Sequence, residues 1–295
     1  ENDALIKEMT ARRPLATIPF AGRYRLIDFG LSSMVNSGIE NVGILLPAKS
    51  RSVLDHLRSG KDWDLARRHD GLFYLPDIKA DNDAYDGDLK NFYRHLDFLQ
   101  HSTQQYVLLM GGQVIYNMAF EKVLRFHQNT GADITMVYSL QPEENVAGGT
   151  VIETSENGMV TDIAKQPVVY EDAKVFMGIY LMERKVLIEL IKRAYERGGS
   201  DFLIDGIMRF QDKYSIYGFC HDGYVAHINS VGSYYRASMD MLQPHIRQEL
   251  FTAEQRVYTK TKDEPPVQYK KNAAAKNSLI ANGCVIEGSV ENSIL

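Results

Sequence analysis

Cysteine is scarce in this chain: Cys220 and Cys284 are the only two in 295 residues, and they stand far apart and outside any metal-ligand spacing. That scarcity excludes a disulfide scaffold and a cysteine zinc site, and it makes a reduced cytoplasm the expected setting. Long apolar runs are missing as well. No stretch approaches the roughly 18 residues that span a bilayer, and no charged-then-apolar leader follows Glu1. Nor is there an excess of one charge. A formal net charge of −5 leaves no basic surplus of the kind that drives nucleic-acid binding. Tyr74, Tyr85, Tyr93 and Tyr106 do not interleave with basic residues as a stacking platform for bases would. The eight histidines show no triad spacing. What remains is a chain 44% hydrophobic and 24% charged, which suffices to bury a full core as one large domain with or without an appendage.

Apolar runs of strand character at 41–46, 105–110, 132–140 and 174–182 alternate with segments of helical period at 29–37, 89–100, 118–129 and 184–197. The last two helices close near Gly131 and Gly198, where a left-handed cap is expected. Such alternation predicts an α/β domain with a largely parallel sheet. The polar stretch 258–276, with Pro265-Pro266 and Lys270-Lys271, breaks the rhythm and reads as a linker. In the last segment, 277–295, Ile280 and Ile286 lie six apart with small and turn residues between them. That period fits the coils of a β-helix. Three units are therefore expected: a domain over 1–257, a linker over 258–276 and the start of a β-helix over 277–295. A repeat core needs about three repeats, so further coils are expected beyond Leu295.

Residues 18–39 read Ile-Pro-Phe-Ala-Gly-Arg-Tyr-Arg-Leu-Ile-Asp-Phe-Gly-Leu-Ser-Ser-Met-Val-Asn-Ser-Gly-Ile, with polar and glycine residues where packing alone does not require them. A glycine turn followed by Arg23 and Arg25 offers forked donors to a phosphate; it is equally a solvated basic turn. Asp28, just before the apolar helical run, reads as a capping carboxylate rather than a catalytic base. Trp63, the single tryptophan, reads as packing at a loop or interface.

This run, its position before a helix and a strand, and the later blocks Met177-Gly-Ile-Tyr180, Val231-Gly-Ser-Tyr-Tyr-Arg236 and Asn277 to Gly288 closely resemble the ADP-glucose pyrophosphorylase (glucose-1-phosphate adenylyltransferase) family, in family order. The resemblance extends from about Thr10 to the last residue. It implies a Rossmann-like nucleotidyltransferase domain with a mostly parallel mixed sheet, joined to a left-handed β-helix and assembled as tetramers. The implied reaction joins ATP and glucose 1-phosphate into ADP-glucose and pyrophosphate, for glycogen or starch synthesis.

The family positions that carry this chemistry are altered here. Two glycines of the family's phosphate loop fall on Glu1 and Asp3, and its arginine falls on Leu5. Carboxylates there repel a triphosphate, and side chains crowd the backbone approach. A phosphate-binding lysine of the family falls on Leu15, and the two metal-holding aspartates fall on Gln113 and Ser230. A neutral amide or hydroxyl is a poor substitute for a Mg²⁺ carboxylate. The sugar-phosphate lysine is Gln166, the serine before the Met-Gly-Ile-Tyr block is Phe176, and the glutamine of a further block is Arg94. Tyr180 and Asp201 match the family and are the expected residual sugar contacts.

The resemblance therefore implies a member with its own catalysis lost or weak, of the regulatory, GlgD-type branch that pairs with a catalytic homologue. No cofactor is expected on this chain, with Mg²⁺ belonging to the catalytic partner. The family's effector site draws on the segment kept here, which makes Arg12, Arg23 and Arg25 candidates for a sugar-phosphate effector; structural ion pairs across a subunit interface are the equal alternative. An autonomous adenylyltransferase with metal held by Asp201 or Asp205 is the second reading. An acyltransferase or structural trimer built on the hexapeptide coils is the third, and the large preceding α/β domain counts against it. Neither nucleic acid nor membrane is an expected partner.

Overall fold

The computed structural model describes residues 3–77, 87–140 and 146–295. Helix α1 (Asp3–Thr10) leads into a short turn at Leu15–Thr17 and a hairpin that pairs Pro19–Phe20 with Tyr24–Arg25. Gly22 makes the hairpin turn at φ +71°, a conformation open to glycine but strained for other residues. A Cβ there would also meet the Leu295 carbonyl at 3.0 Å, so the turn lies directly against the last residues of the chain.

Helix α2 (Leu26–Asn36) is buried along most of its length, including its polar residues Asp28, Ser32 and Ser33. Each polar group has a partner from outside the helix. Ser32 Oγ accepts the Tyr258 amide at 2.8 Å, Ser33 Oγ that of Met118 at 3.3 Å and Ser37 Oγ that of Phe120 at 2.8 Å. The serines thus satisfy backbone donors that would otherwise be buried unpaired, which explains polar side chains on a core helix.

β1 (Asn41–Leu46), α3 (Arg51–Leu57) and β2 (Gly71–Pro76) follow, with β1 and β2 paired in parallel. Helices α4 (Asp88–Arg94) and α5 (Leu96–His101) occupy the stretch expected as one helix. The break is at His95, whose ring pairs with the Pro76 carbonyl at 2.8 Å. Gly87, at φ +87°, opens α4 where a Cβ would fall 2.0 Å from the Ser200 carbonyl.

The main sheet contains β3 (Tyr106–Met110), β4 (Ile134–Leu140), β5 (Val146–Thr154), β6 (Val160–Val169), β7 (Lys174–Glu183) and β8 (Ile216–Cys220), with α6 (Phe120–Thr130) before β4 and α7 (Arg184–Glu196) after β7. Its order is β8-β4-β7-β5-β6, with β3 also on β7. The sheet is mixed, as expected, but the balance of directions is reversed. Among its described pairings only β4 with β8 is parallel, while β7 runs antiparallel to β3, β4 and β5, and β5 to β6. A tight turn at Ser155–Met159 joins β5 to β6, and so short a connection imposes antiparallel pairing. A cavity of about 830 Å³ separates β1 from β3, lined by Val42, Ile44, Leu108 and Met110 among others.

Leu187, Leu190, Ile191 and Ala194 of α7 pack on Ile134, Met136 and Met182 of the sheet. Trp63, in the short turn Lys61–Trp63 between α3 and β2, packs inward into the core and is 1% exposed. Another cluster joins Phe20 and Phe29 to Met241 of the region between α8 (Val231–Asp240) and α9 (Pro244–Leu250), and reaches Leu279 and Ile294. The stretch read as a linker follows the body of the domain closely: Lys260 donates to the Asp55 carbonyl and Thr261 to Asp62. Parallel rungs then begin within it. Gln268 pairs with Val285, Ala274 with Ser289 and Leu279 with Ile294. Among the described residues no helix is long and apolar enough to cross a membrane.

Candidate functional site

Two corners hold the residues singled out by the sequence. In the first, Asp28 is fully buried on the opening turn of α2 and accepts the Arg25 amide at 2.9 Å, the capping role expected for it. Its second oxygen lies 2.6 Å from His56 Nε2, and His56 is itself 3% exposed. The His56 ring meets Trp63 edge-on, with centroids 5.6 Å apart. This buried pair was not anticipated from the sequence. Residues so far apart in the chain as Asp28 and His56 carry no local spacing signal.

Arg25 is half-buried and donates from its guanidinium to the Thr17 carbonyl at 3.0 Å. Burial and the neighbouring positive charge of Arg13 lower its pKa, so the structure brings these two cations together. Arg23 is exposed, with its guanidinium 6.0 Å from the Tyr24 ring centroid. Arg12 is exposed in the stretch between α1 and the Leu15–Thr17 turn. Of the three arginines, Arg25 is tied inward, while Arg12 and Arg23 face solvent.

The second corner collects the altered positions. Gln113 is exposed, and its carbonyl accepts the Ile228 amide at 2.9 Å, beside the pairing of Val114 with His227. Ser230, two residues beyond Ile228, caps α8, accepting the Ser233 amide at 3.0 Å. The two positions where the resemblance places metal-holding carboxylates thus lie side by side. An amide and a hydroxyl already used as a helix cap do not suit Mg²⁺. Among the described residues no group of three histidine, cysteine or acidic side chains is placed to hold a metal.

On the sugar side, Tyr180 is buried between Phe176 and Phe202, with ring centroids at 4.7 and 5.6 Å. Burial, then the negative charges of Asp88 and Asp201, push its hydroxyl pKa well up. Asp88 accepts the Phe202 amide at 2.8 Å, and burial raises its carboxyl pKa. Asp201 caps the turn that follows, accepting Ile204 N at 2.9 Å, and its other oxygen lies 3.3 Å from Lys165 Nζ. Asp205 accepts the amides of Ser200 and Asp201, which hold its carboxyl pKa down. Both acids offered for a rearranged metal site are thus engaged by backbone amides. Gln166 is exposed on β6, and Arg94 lies 3.4 Å from Asp77. Leu15 opens a short helical turn, and Leu5 sits within α1 where the resemblance expects a glycine-rich loop. Glu1, the first of those loop positions, and Tyr85 lie outside the described residues.

A family described as Nucleotidyl transferase matches residues 6–244. Over 292 residues, 98% of this chain and 75% of the relative, the sequence is 39% identical to glycogen biosynthesis protein GlgD of Bacillus subtilis (strain 168). It is 38% identical to GlgD of Geobacillus stearothermophilus with the same two coverages. To glucose-1-phosphate adenylyltransferase of Mycoplasma mobile it is 29% identical over 295 residues, 98% of this chain and 77% of that protein. A match across most of the domain, with GlgD proteins and adenylyltransferases aligned over nearly the whole chain, places it: the chain belongs to the nucleotidyl transferase family, in the group that GlgD proteins share with glucose-1-phosphate adenylyltransferases.

Proposed function

We propose that this chain is a regulatory subunit in glycogen biosynthesis, a GlgD-type member that modulates a catalytic ADP-glucose pyrophosphorylase and that partner's response to sugar phosphates. Its own catalysis is lost or weak. The observation that carries this reading is the neighbouring pair Gln113 and Ser230, neither of them charged and Ser230 committed to capping α8. Nucleotidyl transfer gathers negative charge, and a site without carboxylates to hold a cation leaves that charge unopposed. Mg²⁺ and the chemistry then belong to the partner.

In this reading Arg12, Arg23 and Arg25 receive a sugar-phosphate effector, and the exposed pair Arg12 and Arg23 supplies the contacts that Arg25, tied to Thr17, does not. The rungs between 268 and 294 open a left-handed β-helix, and the assembly is a cytoplasmic hetero-tetramer. Regulation follows from differential affinity: the subunit shifts its partner between low- and high-activity states, and an effector acts by favouring one of them. Pyrophosphorylase activity measured for this chain alone, for the catalytic homologue alone and for the mixture, with and without sugar phosphates, tests the proposal. The expected result is negligible release of pyrophosphate by this chain and a changed rate or effector response in the mixture. An unchanged partner, or Mg²⁺-dependent pyrophosphate release by this chain alone, would overturn it; the latter would assign an autonomous adenylyltransferase.

A further inference from the structure

Residues 42–45 of β1 and 107–110 of β3 line opposite walls of the large cavity, and every one of them is apolar or glycine. Among the described residues β1 pairs only with β2, and β3 only with β7. Each strand therefore turns an edge of unpaired backbone N–H and C=O groups towards the other, and such an edge is a template for a further strand. Asn41, at the start of β1, donates from its side chain to Gln104, two residues ahead of β3, at 3.3 Å. The two strands thus set out from the same end and run the same way.

Helices cover both faces of the space between them. Gly43 faces α5, where a Cβ would lie 2.9 Å from the Phe98 ring, while Val42 and Ile44 pack in one core with Leu31 and Met34 of α2. On β3, Leu108 and Met110 share that core, whereas Val107 and Leu109 belong to the one that includes Phe92 of α4 and Leu99 of α5. A strand inserted here would lie about 4.8 Å from each neighbour. Buried on both faces, it would have to be a continuous apolar run rather than an alternating one. The end at which β1 and β3 finish is closed by the stretch that follows α1. Pro14 and Ala16 line the cavity there, and a Cβ on Gly112, two residues past β3, would fall 2.8 Å from the Ala16 Cβ. Parallel neighbours need a crossover of a dozen or more residues, usually helical, and α1 and α2 precede β1 in a position to supply it. The GlgD relatives are long enough to carry such a segment, since this chain matches 75% of their length.

We propose that the cavity is the seat of one further β-strand, parallel to β1 and β3 and supplied by the protein's own polypeptide ahead of α1. Seated there, the strand pairs with both open edges and joins β1 and β2 to the main sheet as one continuous sheet. Its chemistry follows from its surroundings: about five successive apolar residues, with no proline, because a central strand bonds on both sides. The inference concerns how the fold is completed and is independent of any regulatory role, so the two stand or fall by different measurements.

The coding sequence ahead of residue 1 gives the first readout: an uninterrupted apolar run is expected there, and a polar, alternating or proline-bearing stretch overturns the proposal. Amide hydrogen exchange gives the second, measured on residues 1–295, on the chain carrying the preceding residues, and on that longer chain with proline at the centre of the run. Exchange slower by at least about tenfold is expected over 41–46 and 106–110 in the longer chain, with β6 at the outer edge of the sheet unchanged and the proline variant returned to the faster rates. Equal rates in all three, or slowing that extends equally to β6, overturns the seat. Cross-linking keeps the question answerable if the proline variant does not fold. Leu108→Cys and Leu109→Cys point to opposite faces, so a cysteine at the centre of the run should form a disulfide with one of them and not the other. Disulfides with neither, or with both alike, overturn the proposal.

Discussion

The corner at Asp28 and the corner at Gln113 and Ser230 both contain polar residues at the ends of apolar elements, yet they are built on opposite terms. At the first, charge is buried and answered: Asp28 is fully enclosed between the Arg25 amide and His56. At the second, the side chains are neutral, and Ser230 answers only its own helix. The difference teaches where this chain invests its electrostatics. Enclosed charge is kept where α2, α3 and the hairpin meet, and absent where two acids would have to be held close together against their mutual repulsion.

The largest expected effect breaks the first corner. Asp28→Ala leaves the Arg25 amide uncapped and His56 buried without its partner, and removing one member of a buried polar pair destabilises by about 3–5 kcal/mol. Denaturant unfolding followed by intrinsic fluorescence reads this directly, because Trp63 packs on His56. A midpoint close to that of the parent chain would show that α2 is held by its apolar face alone.

Acid sharpens the comparison from the other side. Burial lowers the pKa of His221 and His227 to about 4, and His227 pairs with Val114, next to Gln113. A histidine lowered in the folded state binds its proton first in the unfolded chain, so its contribution is complete above about pH 6.5 and is lost as pH falls from there towards 4. For each histidine the loss is on the order of 3 kcal/mol. His227→Gln should therefore flatten the decline in stability between pH 6.5 and 4. An unchanged pH profile would place the acid sensitivity elsewhere.

Much of the fold could be read from the chain, and the limits have physical causes. The strand at 41–46 matches β1 at both ends, and α6, α7, β4 and β7 lie within two residues of their expected bounds, because apolar period and left-handed caps are local signals. Direction of pairing is not local, which is why the sheet was expected to be largely parallel. His95 breaks a helix for the sake of the Pro76 carbonyl, a partner distant in sequence. The same holds for the site. Asp28 was legible as a cap from its place before an apolar run, whereas His56 opposite Asp28 and Lys165 opposite Asp201 depend on how separate segments pack. Trp63 was read as packing at a loop or interface, and it is the core formed by α2, α3 and β2 that encloses it.

A smaller effect separates folding from chemistry at the second corner. Ser230→Ala removes the α8 cap and is expected to lose about 1 kcal/mol, while Ser230→Asp, an equally good capping residue, should stay within a few tenths. Thermal unfolding of the two variants measures the difference. If the aspartate variant is as stable as the parent, folding does not forbid a carboxylate there, and its absence has to be explained by function. A loss larger than that of the alanine variant would mean that the neighbourhood excludes charge by itself.

The smallest expected effect returns to the first corner and tests how sharply its cations divide. Arg23 is exposed, with its guanidinium 6.0 Å from the centre of the Tyr24 ring, a contact that contributes about 0.5 kcal/mol in solvent. Arg25 donates to the buried Thr17 carbonyl, and leaving that acceptor unpaired costs about 1–3 kcal/mol. Arg23→Ala should therefore be nearly silent in stability while Arg25→Ala is not. In a titration with a sugar phosphate the order reverses if solvent-facing cations receive the effector: Arg23→Ala weakens binding in a fold that is otherwise intact. Should Arg23→Ala leave effector affinity unchanged, the exposed arginines belong to a subunit contact instead, and the division between inward and outward cations at this corner marks an interface rather than a ligand site.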